Sequence, residues 1–411
     1  MARPTEVPFQ VIPEPGAAEH RTWATDIVRA ENGSETRLVM SNDTLPVRAI
    51  EGPYRTAARR ESMMWEHLLQ FPAGSSTSYP FAVPLWLSLS RLTSAPSGTT
   101  VSCTTANRQF EDVDLAILVK ADGSDAEVVN VVTVGGSSIT ISDSLLKSFT
   151  TGDLIFPAIR ATPTERNSLA GAFSHMMAGQ ASFAETEDRT VLPSLPAPAL
   201  DTYLQDADSA NLEVWDFTPH GSIGVDIVLP RDVQGEAWQS QKRVVTELAE
   251  AVLSFTLRQS SEAERQSLRD FFDSRQGRFK PFWVQSYKAD LITAVAAVST
   301  ATEISVEWSR ETEGLTDVTR HIYIPTLDQR AKITDSELTG GVSVLTISPG
   351  LTGDLAAGAE IRYLRLCRFD DDTLTITLDS DRLSDDIADP AYASVAQIRL
   401  RELQRESAEA A

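Results

Sequence analysis

Residues 253–277, LSFTLRQSSEAERQSLRDFFDSRQG, carry the strongest local signals for the fold. The first six of these residues alternate between apolar and polar side chains, which is the period of a strand with one buried face. A helix is predicted next, because Ser261 and Glu264 have the spacing of a capping box. Gly277 can take the left-handed conformation that ends a helix. The apolar residues expected on one face of this helix are Leu268, Phe271 and Phe272.

The same order of predicted elements is found about 200 residues earlier in the chain, which indicates a tandem duplication. We therefore expect a first copy over residues 1–190 and a second over 206–411, each with one helix. The proline-rich segment between them, residues 191–205, is predicted to be an extended linker or an arm. The matched segments are Thr25-Asp26-Ile27-Val28 with Val225-Asp226-Ile227-Val228, the run from Glu61 with Ser261 to Phe272, Pro80-Phe81 with Pro281-Phe282, and Thr151-Gly152-Asp153-Leu154 with Thr352-Gly353-Asp354-Leu355.

Most of the remaining chain is predicted to be strand, which makes the fold class mainly β (α+β). Ile304, Val306 and Trp308 alternate with polar residues, and Val101 and Cys103 do the same, which places Cys103 on an inward position. The C-terminal segment 395–406 is expected to close as a strand or a helix. Further strands are expected over Leu115 to Val119, Val128 to Val134, His321 to Ile324, Val342 to Ile347 and Leu374 to Leu378.

Composition excludes several classes of protein. The chain has 411 residues, 42% of them hydrophobic, so it suits about two folded domains. Its net charge of -22 disfavours binding to nucleic acid or to an anionic membrane surface. No export signal or membrane anchor is visible, since the longest apolar run, 292–298, is far shorter than a bilayer span. The two cysteines, Cys103 and Cys367, are expected to be reduced and packed in the core.

No catalytic, cofactor-binding or metal-binding residue is predicted. The five histidines have no metal-ligand spacing, and no phosphate-binding glycine loop is present. Asp370-Asp371-Asp372 and the acids between Asp379 and Asp386 lack the pattern of a calcium loop, so a solvated turn is the favoured interpretation, and a glycosidase pair among the acids carries little weight. Gly221-Ser222-Ile223-Gly224 departs from a serine-hydrolase elbow and is predicted to be a loop.

The aromatic residues near the predicted helix are expected mostly in the core, because their spacing follows helix faces and strands. The segment 279–287 is nevertheless the best candidate for a contact between subunits. Two nearby arginines are expected either to pair with acidic residues of a neighbour or to be ordinary surface side chains. The candidate contact residues are Arg275, Arg278, Phe279, Phe282, Trp283 and Tyr287.

The second copy, over about residues 225–404, resembles the distal tail proteins of long-tailed phages and gene transfer agents. The resemblance is carried by the run from Phe271 to Phe282, with its two phenylalanines and Arg275-Gln276-Gly277 element, by Arg368-Phe369-Asp370-Asp371-Asp372-Thr373-Leu374, and by Ile398 to Leu403. The first copy, over about 23–157, is similar through Thr25 to Val28, Asn32 to Arg37 and Leu69 to Phe71. It lacks the Arg-x-Gly element, since Phe71-Pro72-Ala73-Gly74 stands there.

This resemblance implies two tandem tail-tube-like domains of the β-sandwich or barrel kind, acting through ring assembly. The expected partners are other copies of the chain, as a hexamer or a trimer, the tail tube protein, and the hub or tip proteins. DNA would pass through the channel without specific binding, which suits an acidic chain. The resemblance places the protein in the virion tail, assembled in the cytoplasm of the bacterial host.

Three alternatives stay open at this point. The chain is then either a trimeric tail hub whose two copies imitate sixfold symmetry, or a glycan-binding β protein, or a hydrolase acting on a cell wall or glycan. The glycan-binding alternative predicts saturable sugar binding without ring assembly. The hydrolase would need one Asp or Glu whose replacement abolishes turnover.

Overall fold

The computed structural model describes residues 6–9, 12–23, 25–29, 35–40, 46–55, 81–110, 113–164, 168–173, 176–186, 202–203, 212–228, 231–234, 241–244, 250–308, 320–383 and 392–403. Over these residues the chain is mostly strand. The strands form one large sheet, almost entirely antiparallel, and three separate two-stranded sheets. The predicted mainly β fold class is therefore confirmed.

The strands of the first half are β1 (Val7–Pro8), β2 (Ile12–Pro13), β3 (Ala18–Thr22), β4 (Thr25–Arg29), β5 (Glu35–Met40), β6 (Val47–Arg55), β7 (Phe81–Pro84), β8 (Ser90–Arg91), β9 (Thr100–Ser102), β10 (Leu115–Val119), β11 (Ala126–Gly135), β12 (Ser138–Ile141), β13 (Leu154–Pro163), β14 (Ser168–Phe173) and β15 (Met176–Glu185). A short 3-10 helix, Trp86–Ser88, lies between β7 and β8.

The second half contains β16 (Thr202–Tyr203), β17 (Leu212–Glu213), β18 (His220–Val228), β19 (Arg231–Gln234), β20 (Gln241–Val244), β21 (Glu250–Gln259), helix α1 (Glu262–Arg275), β22 (Phe282–Gln285), β23 (Leu291–Ile292), β24 (Glu303–Glu307), β25 (His321–Ile324), β26 (Gln329–Thr339), β27 (Val342–Ser348), β28 (Glu360–Phe369), β29 (Thr373–Leu383) and β30 (Tyr392–Glu402). A 3-10 turn, Pro325–Leu327, separates β25 from β26.

The strands predicted from alternation are confirmed. The segments 115–119 and 321–324 are β10 and β25, and the other predicted runs lie within β11, β27 and β29. Of the C-terminal segment 395–406, the described part up to Glu402 belongs to strand β30. Ile304 and Val306 are buried as expected, but Trp308 lies just beyond β24 and is 52% exposed. The strand ends at Glu307, and the alternation of buried and exposed side chains ends with it.

Helix α1 begins with the predicted capping box. The Ser261 hydroxyl accepts a hydrogen bond from the Glu264 amide, and the Glu264 carboxylate reaches back to the Ser261 amide. The helix ends one residue earlier than the predicted glycine cap, since Gln276 already has a φ of 56° and Gly277 continues with 63°. A Cβ added to Gly277 would lie 3.2 Å from the Trp23 Cβ, so this glycine also allows a close approach. The helix predicted from Glu61 lies outside the described residues.

The strand pairings of the first half recur in the same order in the second half. In the first half β10 pairs with β11 and β13, β11 with β12, β12 with β9, β13 with β7, β8 and β15, and β15 with β14 and β6. In the second, β25 pairs with β26 and β28, β26 with β27, β27 with β24, β28 with β22, β23 and β30, and β30 with β29 and β21. The β3–β6 pair likewise corresponds to β18–β21.

These pairings fix which residues of the two halves correspond. Phe81 and Phe282 open equivalent strands, as the sequence match predicts, and counting across the sheet from them leads to His20 and Asp226. In the first half, Phe81 pairs with Ala161 and Ala161 with Glu185; the residue next to Glu185, Ala184, pairs with Ala49, and Ala49 pairs with His20. In the second half, Phe282 pairs with Cys367 and Cys367 with Glu402; the residue next to Glu402, Arg401, pairs with Val252, and Val252 pairs with Asp226.

The match of Thr25–Val28 with Val225–Val228 is therefore wrong in register. Thr25–Arg29 is β4, one arm of the hairpin with β5, and its counterpart in order is the β19–β20 hairpin. Val225–Val228 corresponds instead to residues 19–22 of β3. Four-letter matches between strands recur by chance, since apolar and polar residues alternate in all of them, whereas paired residues fix the register physically.

One hydrophobic cluster contains residues from both halves. Trp23, Trp86, Leu87, Leu89 and Phe156 of the first half pack in the same cluster as the α1 face and the strands around it. The predicted linker at 191–205 stays a prediction, because only β16 is described there. What the structure adds is that the two halves share a core as well as a sheet.

The two cysteines are buried with no exposed surface. Burial raises the pKa of the Cys103 thiol to about 12, and it raises the pKa of Cys367 well above its ordinary value. We expect neither thiol to react with an aromatic disulfide reagent at pH 8 in the folded chain, and both to react in denaturant. Rapid release of the chromophore from the folded chain would contradict this.

Candidate functional site at the junction of the two halves

The two halves meet edge to edge through strands β29 and β3. These strands are antiparallel, with Thr373 opposite Thr22 and Thr377 opposite Ala18. The pairing continues beyond them, since the Leu378 amide donates to the Ala17 carbonyl at 2.7 Å and the Trp23 amide donates to the Asp372 carbonyl at 2.9 Å. Because β3 also pairs with β6, the sheet runs without a break from the second half into the first.

Side chains reinforce this junction on the face where the strands approach closely. The His20 Nδ1 lies 3.0 Å from the Thr375 hydroxyl, and the hydroxyls of Thr22 and Thr373 are 3.0 Å apart. Directly opposed side chains of this kind belong to the pairs without backbone hydrogen bonds, where strands lie closest. His20 and Thr375 thus join parts of the chain that are 355 positions apart.

Behind the strands lies a largely buried group of charged side chains that we call the junction cluster: Glu19, Arg21, Glu262, Arg265, Arg269 and Asp273. Arg269 bridges the two halves, with its guanidinium 3.0 Å from the Glu19 carboxylate and 2.8 Å from that of Glu262. Arg265 lies 2.7 Å from Glu262, and Arg21 lies 3.0 Å from Asp273. Three acids thus face three arginines, which balances the formal charge within the cluster.

Neutral polar groups add further hydrogen bonds to the cluster. The Ser88 hydroxyl donates to Glu262 at 2.9 Å, and the Gln109 amide donates to Ser88 at 3.2 Å. The Leu87 backbone amide donates to Glu19 at 3.3 Å. Buried charges are tolerated when they are paired and hydrogen-bonded, so this arrangement is well suited to hold the two halves in one orientation.

Arg269 has an exposed fraction of 2%. Burial by itself lowers the pKa of this guanidinium, but the Glu262 and Glu19 carboxylates outweigh that effect and raise it above its ordinary value. Arg269 therefore stays charged, and removing it would leave Glu19 and Glu262 without the arginine that they share, while Glu262 would keep its contact with Arg265.

The junction cluster was not predicted from the sequence. Glu262, Arg265 and Arg269 follow one another at helical spacing, beside the apolar face of α1, and such a charged stripe is most often exposed to solvent. The signal available in the sequence was the presence of two charged sets that could pair: the stripe on α1, and Glu19 and Arg21 at alternating positions of β3. Only the pairing of β3 with β29 brings these charges to the helix.

The predicted contact residues at the end of α1 make contacts within the chain. Arg275 is buried, pairs with Glu213 and donates to the Pro281 carbonyl at 3.1 Å. Burial lowers the pKa of Arg275, and Glu213 opposes this. Arg278 lies 2.7 Å from the Asp372 carboxylate, and Phe279 is half-buried.

Of the other three candidates, Phe282 and Trp283 are buried and Tyr287 is half-buried. Phe282 belongs to the cluster shared by both halves, and Trp283 packs against Tyr203 and His321. The Tyr287 hydroxyl donates to the Phe217 carbonyl at 2.7 Å, and burial raises its pKa well above the ordinary value. That any of the six residues contacts another subunit stays a prediction.

Two further sequence expectations concern acids and a serine. Asp370 accepts a hydrogen bond from Arg401 at 2.8 Å, and Asp372 pairs with Arg278, so two of the three consecutive acids are paired with arginines. Ser222 lies in strand β18 rather than in the predicted loop. That prediction is wrong, because strand β18 runs from His220 to Val228 and accommodates this stretch in a shift of its register with β21, between His220 and Gly224.

The sequence matches no protein-family model and no curated protein. Within the described part of the chain, no three His, Cys, Asp or Glu side chains are grouped so that they could hold a metal ion. The helix found there lacks the length and apolar character needed to cross a membrane.

Proposed function

We propose that the chain is a structural subunit of a phage-type tail, forming a ring at the distal end of the tail tube that joins the tube to the tip. Its partners are other copies of itself, the tube protein and the hub or tip proteins. The proposal includes no enzymatic activity and no cofactor. The sequence resemblance motivates the assignment, and the β29–β3 junction is the observation that carries the ring.

The junction supports ring formation because it joins two similar units head to tail. The first half presents β3, and the second half presents β29, so the contact uses two different surfaces of the same repeated unit. When such a heterologous contact is repeated from one chain to the next, each contact rotates the next chain by the same angle. The chains form a closed ring if these rotations add up to a full turn, and a filament if they do not. A chain that already contains one such contact needs only to repeat it.

The same junction favours the trimeric arrangement over two stacked layers of six chains. The halves lie side by side in one continuous sheet, so each chain supplies two neighbouring units of a single layer. Three chains then supply six units, so that a trimer imitates a ring with sixfold symmetry. We propose this trimer, which has the pseudo-sixfold symmetry of the hub alternative, as the oligomeric form of the distal ring.

Charge is compatible with a channel through which DNA passes. The chain carries 58 acidic and 36 basic residues, so its field repels the phosphate backbone on the whole. A wall that released counterions on binding phosphate would instead retain the DNA. The proposal therefore includes passage of DNA without specific binding.

The glycan-binding alternative is favoured by no observation. Phe271, Phe272, Phe282 and Trp283 are among the aromatic residues that motivated it, and all four side chains are buried. Sugar sites generally need aromatic rings that a ligand can reach.

Light scattering on the purified full-length chain tests the ring. We expect a species of about three times the 44.8-kDa chain mass, and rings with a central opening in negative-stain electron micrographs. A hexamer of two layers would overturn the trimeric arrangement. A chain that stays monomeric throughout a concentration series would contradict the proposed function.

A further inference from the structure

Strand β18 occupies the same position in the second half as β3 does in the first. β3 is covered on both sides, by β6 and by β29. Within the described residues, β18 pairs only with β21, and β14, the counterpart of β29, pairs only with β15. At one described end of the continuous sheet lies β18, the counterpart of β3, and at the other lies β14, the counterpart of β29. These are the counterparts of the two strands that form the internal junction.

β18 is more exposed than β3, because among the described strands it has a partner on one side only. Ala18 is 8% exposed under β29, whereas its counterpart Gly224 is exposed. Val225, the counterpart of Glu19, is 54% exposed although it is apolar. An exposed edge strand with an apolar residue is a template for pairing with another strand.

We infer that β14 of one chain pairs antiparallel with β18 of the next chain, in the register of the internal junction. Ile376 of β29 lies opposite Glu19 and pairs with Ala396 on its other side, as Leu169 of β14 pairs with Gly179. The corresponding contact between chains places Leu169 opposite Val225, Ser168 opposite Asp226 and Ala170 opposite Gly224. This inference rests on the proposed ring and specifies the surface by which its chains join.

The internal junction also fixes which residues exchange backbone hydrogen bonds between chains. The Ala17 carbonyl accepts a hydrogen bond from the Leu378 amide of β29, and the Trp23 amide donates to the Asp372 carbonyl just before β29. The backbone amides and carbonyls of the odd-numbered residues of β3 therefore point toward β29. Their counterparts Val225 and Ile227 then direct their amides at β14 of the next chain. Asp226 and Ser168 form the closely spaced pair without hydrogen bonds, as His20 and Thr375 do.

A cysteine pair tests this register. We expect Ser168→Cys combined with Asp226→Cys to form a disulfide between chains under mild oxidation, giving bands at two and three chain masses on a non-reducing gel. The matched control is Leu169→Cys combined with Asp226→Cys, which is shifted by one residue and places the thiols on opposite faces, so it should give almost no such bands. The buried Cys103 and Cys367 should leave the unsubstituted chain without bands.

A proline substitution tests the edge without new thiols. Val225→Pro removes an amide that points away from β21, so the chain should keep its fold and lose the ring, with the mass falling to 44.8 kDa. Val225→Thr keeps the amide and should keep the ring. Far-ultraviolet circular dichroism and light scattering check both variants.

Different outcomes separate this inference from the proposed function. Rings that form while the designed pair fails to cross-link, or while Val225→Pro still assembles, would overturn the β14–β18 pairing and leave the ring standing. Cross-linking that is equal in the shifted pair would overturn the register. An unsubstituted chain that never assembles would overturn the proposed function itself.

Discussion

Replacing Arg269 by methionine is expected to lower the free energy of unfolding by about 3–5 kcal/mol, because it leaves two buried carboxylates without their shared partner. Arg269 is the residue through which Glu19 of the first half and Glu262 of the second half are joined. Its loss should therefore loosen the junction of the halves as well as the helix. Chemical denaturation followed by tryptophan fluorescence measures the change.

Arg258→Met is the matched control for this change. Arg258 also pairs with a carboxylate, that of Asp379 at 3.2 Å, but the two side chains are 53% and 39% exposed. Exposed pairs of this kind contribute less than about 1 kcal/mol, so the control should leave the denaturation midpoint almost unchanged. Equal losses in both variants would show that burial of the junction cluster does not determine its contribution.

Leu268→Ala is expected to destabilise the chain by about 2–5 kcal/mol, since it removes a side chain from the core that both halves share. Leu268 is fully buried on the apolar face of α1. The lost methyl groups leave a cavity that neighbouring rings fill only in part, and this adds to the lost transfer free energy. The thermal midpoint and the denaturation midpoint should both fall.

The matched control is Leu146→Ala at a position that is 74% exposed. The same atoms are removed there, but little buried surface is lost, and the expected change is within about 0.5 kcal/mol. A loss at Leu146 as large as that at Leu268 would contradict the assignment of the shared core.

Elements with a strong local period were predicted correctly. The alternation in 253–258 and in the runs of β10, β25 and β27 specifies strands, and the Ser261–Glu264 capping box specifies the start of α1. These signals are local, because a strand buries every second residue and a helix buries one face. Trp308 is exposed because it lies beyond the end of β24, where the alternation stops.

The correspondence between the halves was predicted only in part. The Pro-Phe pairs mark equivalent strands, whereas the match of Thr25–Val28 with Val225–Val228 equates a hairpin arm with an edge strand. Short patterns cannot fix a register when insertions separate them. Paired backbones fix it, because a shift by one residue would turn every side chain to the other face.

The amino-acid sequence alone specified the mainly β class, the position of α1 and the inward residues of a few strands, such as 253–258 and 304–306, since these depend on side chains close together along the chain. The tertiary structure decided how the halves are joined, because the contact between β3 and β29 connects residues more than 350 positions apart and leaves no local period. It also decided that the charged stripe of α1 is buried, since Glu262 and Arg269 find Glu19 and Ser88 only when the sheet continues from one half into the other.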